Sequence, residues 1–194
     1  MKRIYLFRHS MPDKNSTLQN EYIPLSQVGK DLAKQLVDKL PISSTIKVFS
    51  SPYIRAKQTA EAFSFNVITD AKLVERKIGN KGTFTKDLWA KQYTDMDAKN
   101  DNGESFRMVQ WRMSEFMNAL LTEMDDGESA IVVSHAAAIC AYLQQYCEIQ
   151  ITDVDTKRRH IVFNNKTVLD GIINTPSCFV LTFEKDLTAI YYID

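Results

Sequence analysis

What this sequence lacks narrows it first. Its 24 basic residues are matched by 24 acidic ones, so no excess of one sign recruits nucleic acid or an anionic membrane, and any anion preference must be local. No apolar run approaches a membrane span, and the apolar stretch after Lys2-Arg3 is too short for a signal-peptide core, which makes the cytoplasm the expected location. Cysteine is scarce. Cys140, Cys147 and Cys178 are odd in number and contain no Cys-x-x-Cys pair, which argues against a disulfide framework and a zinc site and casts them as reduced packing residues. There is no internal repeat, low-complexity tract or interdomain linker, so one domain is expected over residues 1–194.

What is present begins with Lys2-Arg3-Ile4-Tyr5-Leu6-Phe7-Arg8-His9-Ser10. Its apolar run reads as a buried central strand, and the polarity flips at its carboxyl end to Arg8-His9. In an open α/β sheet that end borders the crevice where ligands bind, so a guanidinium beside an imidazole there points to an anion site with a nucleophile or proton carrier. A polar loop follows to about Pro24 and carries Asn15, a candidate to face the site. A helix then opens with Ser26 as N-cap and Val28, Leu32, Leu36 and Leu40 as its apolar stripe. Ile46-Lys47-Val48-Phe49 reads as a second strand. Ser50-Ser51-Pro52 then starts a helix with a serine cap and places Arg55 in the first turn, where unsatisfied N–H groups already favour an anion.

Val67-Ile68-Thr69 is a short strand, after which Glu75 stands out as a candidate acid. Residues 76–103, with Phe84, Leu88, Trp89 and Tyr93, show no regular pattern beyond local helix and read as a substrate-side insertion; the aromatics fit a satellite core equally well. Phe106, Val109, Met113, Phe116, Met117, Leu120 and Met124 then recur at helical spacing. Ala130-Ile131-Val132-Val133 is a buried strand delivering Ser134-His135 ahead of an alanine-rich helix from Ala136 to about Tyr146. Ile161-Val162-Phe163, Cys178–Phe183 and Ala189–Tyr192 read as strands finishing the sheet, and His160, beside Lys157-Arg158-Arg159, reads as surface.

Arg8-His9, Arg55, Glu75 and Ser134-His135 thus all sit where the chain leaves a strand or enters a helix. With Leu25-Ser26-Gln27-Val28-Gly29, Ser50 to Ala60, Leu73-Val74-Glu75-Arg76 followed by Gly79, Gly103-Glu104-Ser105 and Val132-Val133-Ser134-His135, the chain resembles the histidine phosphatase superfamily, the phosphoglycerate mutase-like group. The resemblance implies a three-layer α/β/α sandwich with a mostly parallel central sheet, and phosphoryl transfer through a phosphohistidine. It implies His9 as nucleophile, Arg8, Arg55 and His135 as the phosphoryl-holding pocket with Asn15 aligned to an asparagine often found there, and Glu75 as proton donor. The family's other branch places its acid directly after the second histidine, where this chain has Ala136. Ser10 replaces the signature glycine, Ala136-Ala137 a common Gly-Gly, and Cys140 a frequent arginine, which is expected to alter pocket shape.

The chemistry of these residues agrees with that implication. Guanidinium and imidazole donors can hold the spread negative charge of a phosphoryl group in flight, so no metal or other cofactor is called for. Nearby arginines disfavour the imidazolium and keep His9 neutral and nucleophilic near pH 7. The expected activity is a metal-independent phosphomonoesterase acting on a phosphorylated small molecule or protein side chain. A mutase-type phosphotransferase and a non-catalytic phosphate-binding module are the alternatives.

Overall fold

The computed structural model describes residues 1–40, 46–64, 66–80, 82 and 85–194. In chain order its elements are β1 (Lys2–Arg8), α1 (Gln27–Asp38), β2 (Lys47–Ser50), α2 (Ile54–Ala60), β3 (Val67–Thr69), α3 (Lys86–Lys91), α4 (Phe106–Glu123), β4 (Ser129–Ser134) and α5 (Ala136–Leu143), followed by β5 (Glu148–Asp153), β6 (Arg158–Phe163), β7 (Lys166–Gly171), β8 (Ser177–Phe183) and β9 (Leu187–Ile193). Strand β1 is apolar on both faces because it lies inside a six-stranded sheet of order β3-β2-β4-β1-β8-β9. The strands β3, β2, β4 and β1 run parallel, and β8 and β9 close the other edge in antiparallel pairing.

Alternate residues of the sheet feed two cores. Tyr5, Phe7, Ile131 and Val133 pack under α1 and α2 through Leu36, Leu40, Ala56 and Ala60. Ile4, Leu6, Val132 and Phe179 pack under α4 and α5 through Phe106, Val109, Met113, Met117 and Ile139. Helices on both faces of a mostly parallel sheet make the expected three-layer α/β/α fold. Ser105 caps α4 by accepting from Met108 N, and every apolar position anticipated from Phe106 to Met124 is buried. The three cysteines are free and buried. Among the described residues no helix is long and apolar enough to cross a membrane.

Several local expectations need correction. Ser26 does cap α1, but Val28 is 57 % exposed and the buried positions are Gly29, Ala33 and Leu36. A strict spacing of four drifts by about 40° per step, so the first member of the row has rotated off the face that the last one buries. Gly29 faces inward at close range, where an added Cβ would lie 2.1 Å from the Met11 carbonyl oxygen. Helix α2 begins at Ile54 with Tyr53 at the cap and no side-chain cap bond; Ser51 lies two residues ahead of the cap, where its Oγ accepts from Tyr53 N at 3.3 Å. Helix α5 stops at Leu143 rather than near Tyr146.

The largest difference concerns the last third. Ile161-Val162-Phe163 does not extend the main sheet; it belongs to β6, the middle of a separate three-stranded antiparallel sheet β5-β6-β7. Asn164 and Asn165, both at positive φ (47° and 60°), turn β6 straight back into β7. That geometry matches the twist of a tight hairpin and leaves no crossover to carry β6 into the parallel sheet. Within 76–103, Trp89 and Tyr93 are buried in the core under α4, while Phe84 lies outside the described residues.

Candidate active site

Two parallel strands end side by side, and each hands over a histidine. Arg8 is paired with Ser134 in the last rung between β1 and β4, and His9 N donates to the Ser134 carbonyl at 3.0 Å. The His9 and His135 rings consequently lie 5.0 Å apart, centroid to centroid, inclined by 63°. Both are buried, at 7 % and 0 % exposure.

Arg55, the second residue of α2, spans the pair. Its Nε donates to His9 Nε2 at 3.1 Å, its Nη2 donates to His135 Nδ1 at 3.4 Å, and its Nη1 donates to the Asn20 carbonyl. An arginine is donor only, so both imidazole nitrogens facing it are lone-pair nitrogens. The opposite nitrogens then carry the protons. His9 Nδ1 donates to the Ser10 carbonyl at 2.7 Å, and His135 Nε2 donates to Ser51 Oγ at 2.9 Å. Burial first, then the Arg55 and Arg8 charges, lower His9 from 6.5 to about 3; burial, His9 and Arg55 lower His135 well below its ordinary value. His9 is therefore neutral at pH 7, with its Nε2 lone pair directed at the guanidinium. Tyr53 closes one wall, its ring 5.0 Å from both the Arg55 guanidinium and the His135 ring.

Arg8 and Glu75 stand at the border of this cluster. Arg8 Nη1 donates to the Ile173 carbonyl, while its Nε is buried and has no partner among the described residues. Glu75 sits at the start of α5: Oε1 accepts from Ala138 N at 3.0 Å and from Arg76 N at 2.8 Å, and Oε2 accepts from Ala137 N at 3.3 Å. Its segment is bolted down from α4. Arg112 forms a largely buried ion pair with Glu104 at 2.9 Å and donates to the carbonyls of Lys72 and Val74, while Glu104 accepts from Lys77 N. Gly79, at φ 74°, and Gly103 allow those strands of chain to touch; a Cβ on Gly103 would lie 2.6 Å from the Ile78 carbonyl oxygen.

The structure brings Arg8, His9, Arg55 and His135 together and sets Glu75 beside Arg8. Asn15 is exposed on the loop whose Asn20 carbonyl holds Arg55; its backbone N–H donates to Asp13, and its side chain makes no hydrogen bond to any of the four. Ser10 does not protrude into the pocket. Its Oγ donates to the Gly29 carbonyl at 2.6 Å and its N to Thr59 Oγ1 at 2.8 Å, so the side chain ties the end of β1 to α1. Ala136 and Ala137 do line the neighbouring space.

That space is a cavity of about 320 Å³, bordered by Arg8 and Glu75 on one side and by Trp89, Gln92, Lys157 and Arg159 on the other. His9, Arg55 and His135 are not among the residues that line it. The sequence groups Arg159 with the surface cluster around His160, yet it is only 4 % exposed. The alternation along β6, with Arg158 outward and Arg159 inward beside buried Ile161 and Phe163, is the signal that could have found it. Nothing in the sequence marks Gln92. Among the described residues no three His, Cys, Asp or Glu side chains are grouped to hold a metal ion. The charged residues lining the cavity are Arg8, Arg76, Lys157 and Arg159 against the one carboxylate of Glu75.

The fold and this strand-end cluster define a phosphoryl-handling α/β domain, and the chain belongs to the histidine phosphatase superfamily, branch 1, whose model matches residues 4–168. Among solved structures it is similar to a mycobacterial glucosyl-3-phosphoglycerate phosphatase complexed with VO3 (20% identity, 100% of this chain and 98% of that one, TM-score 0.67). It is also similar to a phosphoglycerate mutase from Thermus thermophilus (19%, 99% and 99%, 0.65) and to Bacillus stearothermophilus YhfR (20%, 97% and 95%, 0.67). No curated protein matches by sequence.

Proposed function

We propose that the protein is a metal-independent phosphatase that hydrolyses phosphomonoesters through a phosphohistidine on His9. The observation that carries this is the pairing of His9 Nε2, a buried neutral lone pair, with the Arg55 guanidinium, 5.0 Å from a second buried imidazole. In the first step Nε2 attacks phosphorus, the bond to the ester oxygen breaks, and the Glu75 carboxyl gives the leaving alcohol its proton. In the second, Glu75 takes a proton from water as the oxygen attacks phosphorus and the N–P bond breaks, which restores His9. Arg55 moves from the lone pair to the equatorial oxygens as phosphorus takes its place, Arg8 adds its charge, and His135 joins the cradle by changing tautomer, Nδ1–H donating to a phosphoryl oxygen while Ser51 Oγ donates to Nε2.

The proposal includes a cytoplasmic location and a small phosphorylated substrate, with the 76–103 segment on the substrate side. The balance of charge, 24 against 24, gives no support to a nucleic-acid or membrane partner. The test is incubation with a panel of phosphoesters, chelator present, followed by assay for acid-labile, alkali-stable phosphate on His9. Label and released phosphate are expected. Transfer to a second hydroxyl would make it a mutase, and binding without label would make it a phosphate-binding module. Glu75→Gln should slow the phosphorylation of His9 by an alkyl phosphate by about 10²- to 10⁴-fold in a single-turnover assay, and by 4-nitrophenyl phosphate far less, since a good leaving group needs no proton. Equal loss on both would remove Glu75 from that role.

A further inference from the structure

The walls of the cavity beside Arg8 are polar in a way that hydrolysis itself does not use. Gln92 is 1 % exposed, borders the cavity, and has no partner among the described residues at either Nε2 or Oε1. A buried carboxamide without partners is destabilising, and a ligand that both accepts and donates removes that cost. Arg159 approaches from β6. Its Nε donates to Tyr93 Oη at 3.0 Å and its Nη1 to the Lys157 carbonyl at 2.7 Å, and its guanidinium lies 5.1 Å from the Trp89 ring centroid. These contacts fix the fork and leave Nη2 with no hydrogen bond among the described residues. Lys157, Arg76 and Arg8 add positive charge to the lining, against one carboxylate, Glu75. At about 320 Å³ the space is at the small end of ligand pockets.

We propose that this cavity receives the alcohol portion of the substrate and selects small, hydroxylated phosphomonoesters that carry a second anionic group, with Arg159 and Lys157 taking the anion and Gln92 exchanging hydrogen bonds with a hydroxyl. This rests on the phosphatase reading above. A hydroxyl suits Gln92 because it is the smallest group that donates and accepts at once. The anion is a carboxylate or a second phosphate, since a fixed guanidinium edge pairs with either. The size of the cavity favours a metabolite over a phosphorylated protein side chain.

The test is calorimetry on the His9→Ala protein, which cannot transfer a phosphoryl group, with glycerol 3-phosphate, 3-phosphoglycerate and glycerol 1,3-bisphosphate. The first lacks the second anion; the other two supply it as carboxylate and as phosphate. At least one of them should bind about tenfold or more tightly than glycerol 3-phosphate, the size of one charge-assisted hydrogen bond. Affinities all within about threefold would overturn the proposal. Adding Arg159→Gln should erase the preference, and Arg159→Lys should restore part of it. Gln92→Leu should raise the melting temperature without ligand, because it removes the unpaired amide, while weakening all three hydroxylated ligands. A lower melting temperature with unchanged affinities would make Gln92 a packing residue and sink its role, and this variant decides the matter even where Arg159→Gln does not fold. Turnover is read separately on the unmutated protein. No hydrolysis with the expected affinities would end the phosphatase reading and leave the subsite standing; hydrolysis without any preference would do the reverse.

Discussion

The strand-end cluster and the cavity beside it are built on opposite plans. In the cluster nearly every polar atom is already engaged: both nitrogens of His9, both of His135, all three of Arg55 and the hydroxyls of Ser10 and Ser51 have protein partners. In the cavity Gln92 has none and Arg159 keeps one nitrogen unengaged among the described residues. The cluster is fixed by neighbouring backbone, because residues that end adjacent parallel strands cannot be far apart. The cavity is assembled from segments brought together over long distances in sequence. On the proposed function, chemistry that treats every phosphoester alike belongs to the first plan, and discrimination among alcohols to the second.

Arg55 gives the sharpest way to break that division. Arg55→Ala should cost about 10²- to 10³-fold in kcat, as the loss of an oriented donor to developing charge does, and the factor should be the same across a panel of phosphoesters. Arg55→Lys should not restore the rate, since a point charge cannot span two imidazoles. Steady-state kinetics would read this. A loss confined to some substrates would place Arg55 on the discriminating side and dissolve the comparison.

Acidity separates the two regions more gently. His9 is held at about 3 in the folded protein against 6.5 in an unfolded chain, and His135 is lowered in the same sense. Between those values the unfolded state binds more protons than the folded one, so stability rises with pH across that window. The contribution is complete above about pH 6.5 and is lost as pH falls towards 3, by on the order of 5 kcal/mol for His9. Thermal unfolding from about pH 7.5 to about pH 4 should show it, with a shallower slope in His9→Asn. Arg159→Gln, in the cavity, should keep the slope of the unmutated protein because arginine does not titrate in this range.

Legibility in the sequence follows the same division. The β1 and β4 strands, α4 and the two strand-end histidines can be read because burial on both faces, or at helical spacing, leaves a local pattern that ends in a visible change of polarity. Arg55 falls in the expected first turn even though the helix starts later than the serines suggest, with Tyr53 rather than Ser51 at its cap. The separation of the β5-β6-β7 sheet from the main one is hidden because a short apolar run does not say which sheet it joins. Arg159 and Gln92 escape for a related reason. A charged residue beside two others reads as solvated, and a lone glutamine carries no periodicity, so only the packing of β6 against the residues after α3 makes them neighbours.

Ser10 tests whether departures from the family signature belong with chemistry or with architecture. Its hydroxyl is spent on the Gly29 carbonyl, 2.6 Å away on α1, and Gly29 itself is pressed against the Met11 carbonyl. Ser10→Ala removes that bond and should cost about 1 kcal/mol of unfolding free energy. Ser10→Gly restores the signature residue but also loosens the unfolded chain, and should cost roughly 0.5–1 kcal/mol more. Denaturant melts would rank them. Neither should shift the preference among phosphoesters, because the side chain points away from the reacting group and the Ser10 carbonyl that orients His9 is untouched. A changed preference in either variant would mean that the strand end also helps choose the alcohol, and the boundary between holding phosphorus and recognising its leaving group would have to be drawn elsewhere.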